Sequence, residues 1–109
     1  MYTLKCGTSL HMTPEIEKML ERVCIVFKSF EIPVVITSAI DGPHRQDSLH
    51  YKFRAFDLRK KFDDPIFDRT WGIHWQYILA ALKIQFEAHQ LPARCINEQD
   101  HLHIEWYGP

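Results

Sequence analysis

The stretch Ser48-Leu49-His50-Tyr51-Lys52-Phe53-Arg54-Ala55-Phe56-Asp57-Leu58 sets an imidazole seven positions ahead of a carboxylate. Residues 53 to 58 read as a strand: Phe53, Ala55 and Asp57 fall on one face, Arg54, Phe56 and Leu58 on the other. His50 then sits in the loop leading into that strand and can fold back toward Asp57. A second stretch near the C-terminus, Asp100-His101-Leu102-His103-Ile104-Glu105-Trp106, alternates strictly. His101, His103 and Glu105 share one face, while Leu102, Ile104 and Trp106 form the core face.

The rest of the chain supplies what those two strands need. Ala93 to Asn97 pairs naturally with His101 to Trp106 as a hairpin, with Glu98-Gln99-Asp100 at the turn. Thr13 is an N-cap and Pro14 a first helical residue, with Glu15 and Glu17 in the first turn. The helix they start is predicted to run to about Phe30, with Ile16, Met19, Leu20, Val23, Val26, Phe27 and Phe30 on its apolar face. Val34 to Ser38 reads as a buried strand. Asp41-Gly42-Pro43 is a turn, and His44 and Arg45 follow it on the same loop. Lys60 to Arg69 is polar, contains Asp63-Asp64-Pro65 and reads as a loop. A second helix is predicted from Trp71 or Gly72 to Gln90, with Trp75, Ile78, Leu79, Leu82 and Phe86 facing inward. Residues 1 to 12 read as irregular, with a turn at Gly7-Thr8-Ser9. The fold class expected is α+β: two helices packed on one face of a small, mostly antiparallel sheet, with the polar face turned away from them.

Length and composition set the outer limits. A chain of 109 residues with 46% hydrophobic and 25% charged residues has the make-up of a single globular domain spanning 1–109. A net charge of −1 provides no electrostatic footprint for nucleic acid or an anionic membrane. No apolar run is long enough to span a bilayer. Met1-Tyr2-Thr3-Leu4-Lys5-Cys6 lacks a charged-then-apolar signal pattern, so the expected location is the cytoplasm as synthesised, with release depending on another system. Cys6, Cys24 and Cys95 are too far apart for a zinc knuckle or a redox pair, and free thiols are expected. A monomer is the default.

Two imidazoles and a carboxylate in one small fold are a ligand set for a borderline divalent metal. A catalytic zinc site has three protein ligands and an open position for water. His50, Asp57 and His103 fill that requirement with two neutral rings and one anion, so a Zn2+ site keeps net positive charge. Such a charge acidifies water and polarises a carbonyl. His74 and His89 read as solvated helix residues, and Asp63 and Asp64 as turn residues. The chain has no His-Glu-x-x-His pair, which excludes the helix-borne zinc protease motif.

In these residues the chain resembles the zinc D-Ala-D-Ala carboxypeptidases and the related L-alanyl-D-glutamate endolysin peptidases, whose fold is hedgehog-like. The family motif is Ser-x-His-x-x-Gly-x-Ala-x-Asp, followed downstream by a last His ligand with an acid three positions before it. Ser48, His50, Ala55 and Asp57 match the first part, and Asp100 with His103 the second. Phe53 stands where the family has Gly, and the acid is Asp where endolysins commonly have Glu. The resemblance implies that His50, Asp57 and His103 bind zinc and that Asp100 is the general base. It also implies that Arg45 and Ser48 hold substrate and that Arg45 and His101 support the reaction as positive groups. The substrate it implies is a bacterial cell-wall (peptidoglycan) peptide with a D-amino acid near the cut. Absence of a signal pattern fits a phage or viral lysis enzyme held in a host cytoplasm.

Two other readings remain open at the level of sequence. Phe53 in place of Gly crowds the ligands, which suits a non-catalytic metal-binding or structural domain of the same fold. His101-Leu102-His103 also matches the His-hydrophobic-His pair of DNA-nicking enzymes. Those enzymes need a nucleophilic Tyr on a downstream helix, and the only later Tyr is Tyr107, at the chain end.

Overall fold

The computed structural model describes residues 1–5, 10, 12–39 and 54–108. Helix α1 spans Pro14–Ser29. Its N-cap is Thr13, whose side-chain oxygen accepts from the Ile16 backbone N–H at 3.2 Å, with Pro14 where a missing N–H costs nothing. Ile16, Met19, Leu20, Val23, Val26 and Phe27 are buried along one face. The helix closes at Phe30, and Glu31 turns the chain with φ of 58°.

Helix α2 spans Pro65–Ala88, starting about two turns earlier than the sequence reading placed it. Asp64-Pro65 does for α2 what Thr13-Pro14 does for α1. The Asp64 carboxylate accepts from Ile66 N–H at 2.9 Å, and Asp68 accepts from Phe62 N–H at 3.0 Å. Of the segment expected to be a loop, 60–64 lies outside helix and strand, while 65–69 is a capped helix start in which Ile66 is 71% exposed. Trp71, Ile78, Leu82 and Phe86 form the buried face.

The strands are β1 (Thr3–Leu4), β2 (Val35–Ser38), β3 (Ala55–Arg59), β4 (Ala93–Asn97) and β5 (His101–Trp106), ordered β1-β2-β3-β5-β4 in one sheet. Among the described residues, β1 pairs parallel with β2 and the other pairings are antiparallel. The short β1 lies in a segment expected to be irregular. It is held mainly by backbone bonds, Thr3 N–H to Val34 O and Lys5 N–H to Ile36 O, each 2.9 Å, with the Thr3 hydroxyl also donating to Val34 O at 3.3 Å, and both its residues are exposed, so no buried stripe marks it. The predicted hairpin is present with the predicted bounds. The turns expected at 7–9 and 41–43, and His44, lie outside the described residues.

One hydrophobic core joins the helices to the sheet. Phe56, Leu58, Leu102 and Ile104 are fully buried in a cluster with the inward faces of α1 and α2. Alternation sends the intervening residues of β3 and β5 to the opposite face, away from both helices. Among the described residues no helix is long and apolar enough to cross a membrane.

Cys95 is the cross-strand partner of Ile104 and packs against this core. Burial pushes its thiol up from 9.0 to about 12. At pH 8 an ordinary thiol is about one-tenth thiolate and Cys95 about one part in ten thousand. Alkylation by iodoacetamide, followed by peptide mass spectrometry, is expected to be roughly a thousand-fold slower at Cys95 than at a free thiol. A rate near that of the free thiol would mean that β4 does not bury this side chain.

Candidate metal centre

The antiparallel register of β3 and β5 places Asp57 opposite His103, with Ala55 opposite Glu105 and Arg59 opposite His101. On the far side of β5, Arg94 lies opposite Glu105 and Ile96 opposite His103. Residues 46 apart in sequence are thereby brought to one spot on the face that the helices leave uncovered. Asp57 and Glu105 are nevertheless buried, at 8% and 6% exposure.

The imidazole of His103 is held at both nitrogens. Its Nδ1 lies 2.8 Å from Asp57 Oδ1, and its Nε2 lies 2.8 Å from Glu105 Oε1. The other oxygen of Glu105 accepts from Arg94, at 2.7 Å from Nε and 2.6 Å from the terminal nitrogen. The result is a chain of alternating charge, Asp57–His103–Glu105–Arg94, running across three strands. Burial works to lower the His103 pKa, but the bonds and charges of Asp57 and Glu105 together outweigh it, and the net shift is upward.

His101 stands beside this chain. Its Nε2 is 3.6 Å from Asp57 Oδ2 and 3.5 Å from Glu98 Oε2, and it is about one-third exposed. Asp100 lies at the hairpin turn with its side chain 79% exposed, and its Oδ1 is 3.5 Å from Lys61 Nζ. The structure thus brings Asp57, His103 and His101 together, while the ion pair made by Asp100 points to Lys61. Arg45, Ser48, His50 and Phe53 lie outside the described residues.

Two tetrahedral zinc ligands at ordinary bond lengths sit roughly 3.3 Å apart. The Asp57–His103 contact of 2.8 Å is about half an ångström tighter, a difference that small side-chain rotations can absorb. The donor types, an imidazole nitrogen and a carboxylate oxygen, suit zinc. These residues therefore fit two of the three expected ligand positions. Among the described residues no group of three or more His, Cys, Asp or Glu side chains is arranged to hold a metal ion, and the third expected ligand, His50, is not one of them.

Comparison with family models, curated proteins and solved structures returned no match.

Three residues of the cluster were not singled out from sequence: Glu105, Arg94 and Glu98. Alternation already put Glu105 on the His103 face. Once the hairpin turn is set at 98–100, the register alone pairs Arg94 with Glu105. Glu98 stands three residues before His101, the same spacing that drew attention to Asp100 before His103. A nearby cleft between α2 and β4, lined by Leu79, Lys83, Phe86 and Tyr107, meets the cluster only through Arg94.

Proposed function

We propose that the chain is a zinc-dependent metallopeptidase that hydrolyses amide bonds of bacterial cell-wall peptides, with a fold of the D-Ala-D-Ala carboxypeptidase and hedgehog-like type. The observation that carries this reading is the meeting of Asp57 and His103 on the uncovered face of the sheet, 2.8 Å apart. It joins the two halves of the motif that resembles this family. His50, Asp57 and His103 hold the metal. A zinc ion bound there supplies Lewis acidity for the scissile carbonyl and acidifies water toward neutral pH.

The chain's own residues do the rest. Asp100 takes a proton from the attacking water and returns it to the leaving amine. Its exposure suits that task, because the side chain can swing from Lys61 toward an incoming substrate. His101, partly exposed beside Asp57, contributes a polar N–H to the developing oxyanion. Arg45 and Ser48 bind the peptide, with Arg45 as a second positive group.

Release of peptides from purified peptidoglycan by the zinc-loaded protein, read by mass spectrometry, tests the reading. Asp100→Asn is expected to slow cleavage by about 10²–10⁴-fold, and Glu98→Gln by far less. If the losses are reversed, Glu98 is the base. If the zinc-loaded wild type cleaves neither peptidoglycan nor model D-Ala peptides, the peptidase reading fails. The non-catalytic metal-binding domain motivated by Phe53 then takes its place.

A further inference from the structure

We propose that Glu105, anchored by Arg94, is a positioning residue that orients His103 with its Nδ1 turned to the Asp57 carboxylate, pre-forming half of a divalent cation site. The inference rests on the metal-binding reading above and extends it to two residues outside the motif.

A neutral imidazole has one N–H and one lone pair, and only the bare nitrogen can bind a metal. Which nitrogen is bare depends on what the other donates to. Both nitrogens lie 2.8 Å from a carboxylate oxygen, Nδ1 from Asp57 and Nε2 from Glu105, so a cation that takes the place of the Nδ1 proton leaves the ring's one remaining proton on Nε2, where Glu105 Oε1 accepts it. Nδ1 is then the ligating atom, and it already faces Asp57 Oδ1. Glu105 can hold this pose because Arg94 grips its second oxygen with two nitrogens, at 2.7 and 2.6 Å. Charge-assisted bonds from two donors to that one oxygen are strong and leave Oε1 for His103. The strand geometry makes the arrangement cheap: His103 and Glu105 are neighbours on one face of β5, and Arg94 is the direct cross-strand partner of Glu105. Carboxylates that receive the second N–H of a ligating His raise its basicity and lock its ring.

Zinc affinity, measured by competition with a chromogenic chelator, tests the proposal. Glu105→Ala is expected to bind zinc about 10–100-fold more weakly than wild type. Glu105→Gln keeps a carbonyl oxygen for the Nε2 proton and is expected to recover most of that loss. In the zinc-loaded protein, the His103 Nε2 proton is expected as a protected ¹⁵N-coupled resonance in wild type and the Gln variant, and to be lost in the Ala variant. A role in packing alone would not move that resonance. If Glu105→Ala does not fold, Arg94→Ala, a change at an exposed side chain, replaces it. A severalfold loss of affinity there supports the proposal, and unchanged affinity overturns it. Wild-type affinity in Glu105→Ala overturns the positioning role and leaves the metal site standing. Failure of the wild type to bind zinc at all overturns both.

Discussion

Replacing His103 with alanine is expected to destabilise the metal-free protein by about 3 kcal/mol and to remove zinc binding. The ring separates two carboxylates that are 8% and 6% exposed, Asp57 and Glu105. Without it, Asp57 loses its closest cationic partner, Glu105 is left with Arg94 alone, and the two carboxylates repel each other across the gap. The cost is expected to depend on pH. The His103 pKa is raised in the folded chain, since the bonds and charges of Asp57 and Glu105 outweigh the opposing effect of burial. A group with a raised folded pKa contributes its stability in full below its unfolded value and loses it as pH rises through the folded value. In the presence of a chelator, the gap between wild type and His103→Ala is therefore widest just on the acid side of 6.5, and it narrows as pH climbs above that. Zinc binding runs the other way, because the ligating ring must shed its proton. Urea unfolding of both proteins across this range, with and without zinc, measures both trends. A gap that widens with rising pH in the chelated protein would contradict the charge network described above.

Replacing Phe56 with alanine is expected to cost about 3–5 kcal/mol. Phe56 is fully buried on the core face of β3, opposite Ile104, in the cluster that joins both helices to the sheet. Its neighbour in sequence, Asp57, points to the other face and carries the site. Loosening β3 therefore loosens the ligand pair as well, and zinc affinity is expected to fall alongside stability. Denaturant midpoints measured on the chelated and the zinc-loaded protein separate the two effects. A loss below about 1 kcal/mol, closer to that of a volume-conserving core exchange, would mean that β3 is not packed under the helices.

How much of this was legible in the sequence depends on whether side chains carry the pattern. The hairpin bounds were readable because His101 to Trp106 alternates without exception and a polar triplet precedes it. Helix α1 was readable because Thr13-Pro14 caps a long apolar stripe. The start of α2 is ambiguous in the sequence because Asp64-Pro65 has two meanings, a turn or a capped helix start. The first turn of that helix is solvent-facing, with Ile66 exposed, so no buried stripe decided between them. Strand β1 left no trace, since backbone bonds hold it and its residues are exposed. For the site, alternation puts His103 on a polar face with His101 and Glu105, and Asp57 on a face shared with Phe53 and Ala55. The encounter of Asp57 and His103, and the part played by Glu105 and Arg94, follow from strand order and register, which no single strand encodes.

The measurement closest to the central claim is the zinc content of the purified protein beside Asp57→Ala and His50→Ala. About one zinc per chain in wild type, lost in both variants, is the expected result for a three-ligand site. It would also join His50 to the pair already seen to meet on the sheet. Zinc retained at wild-type level in Asp57→Ala, or absent from the wild type even after zinc is supplied, would contradict the account. The Asp57–His103–Glu105–Arg94 chain would then be a buried charge network that serves the fold alone.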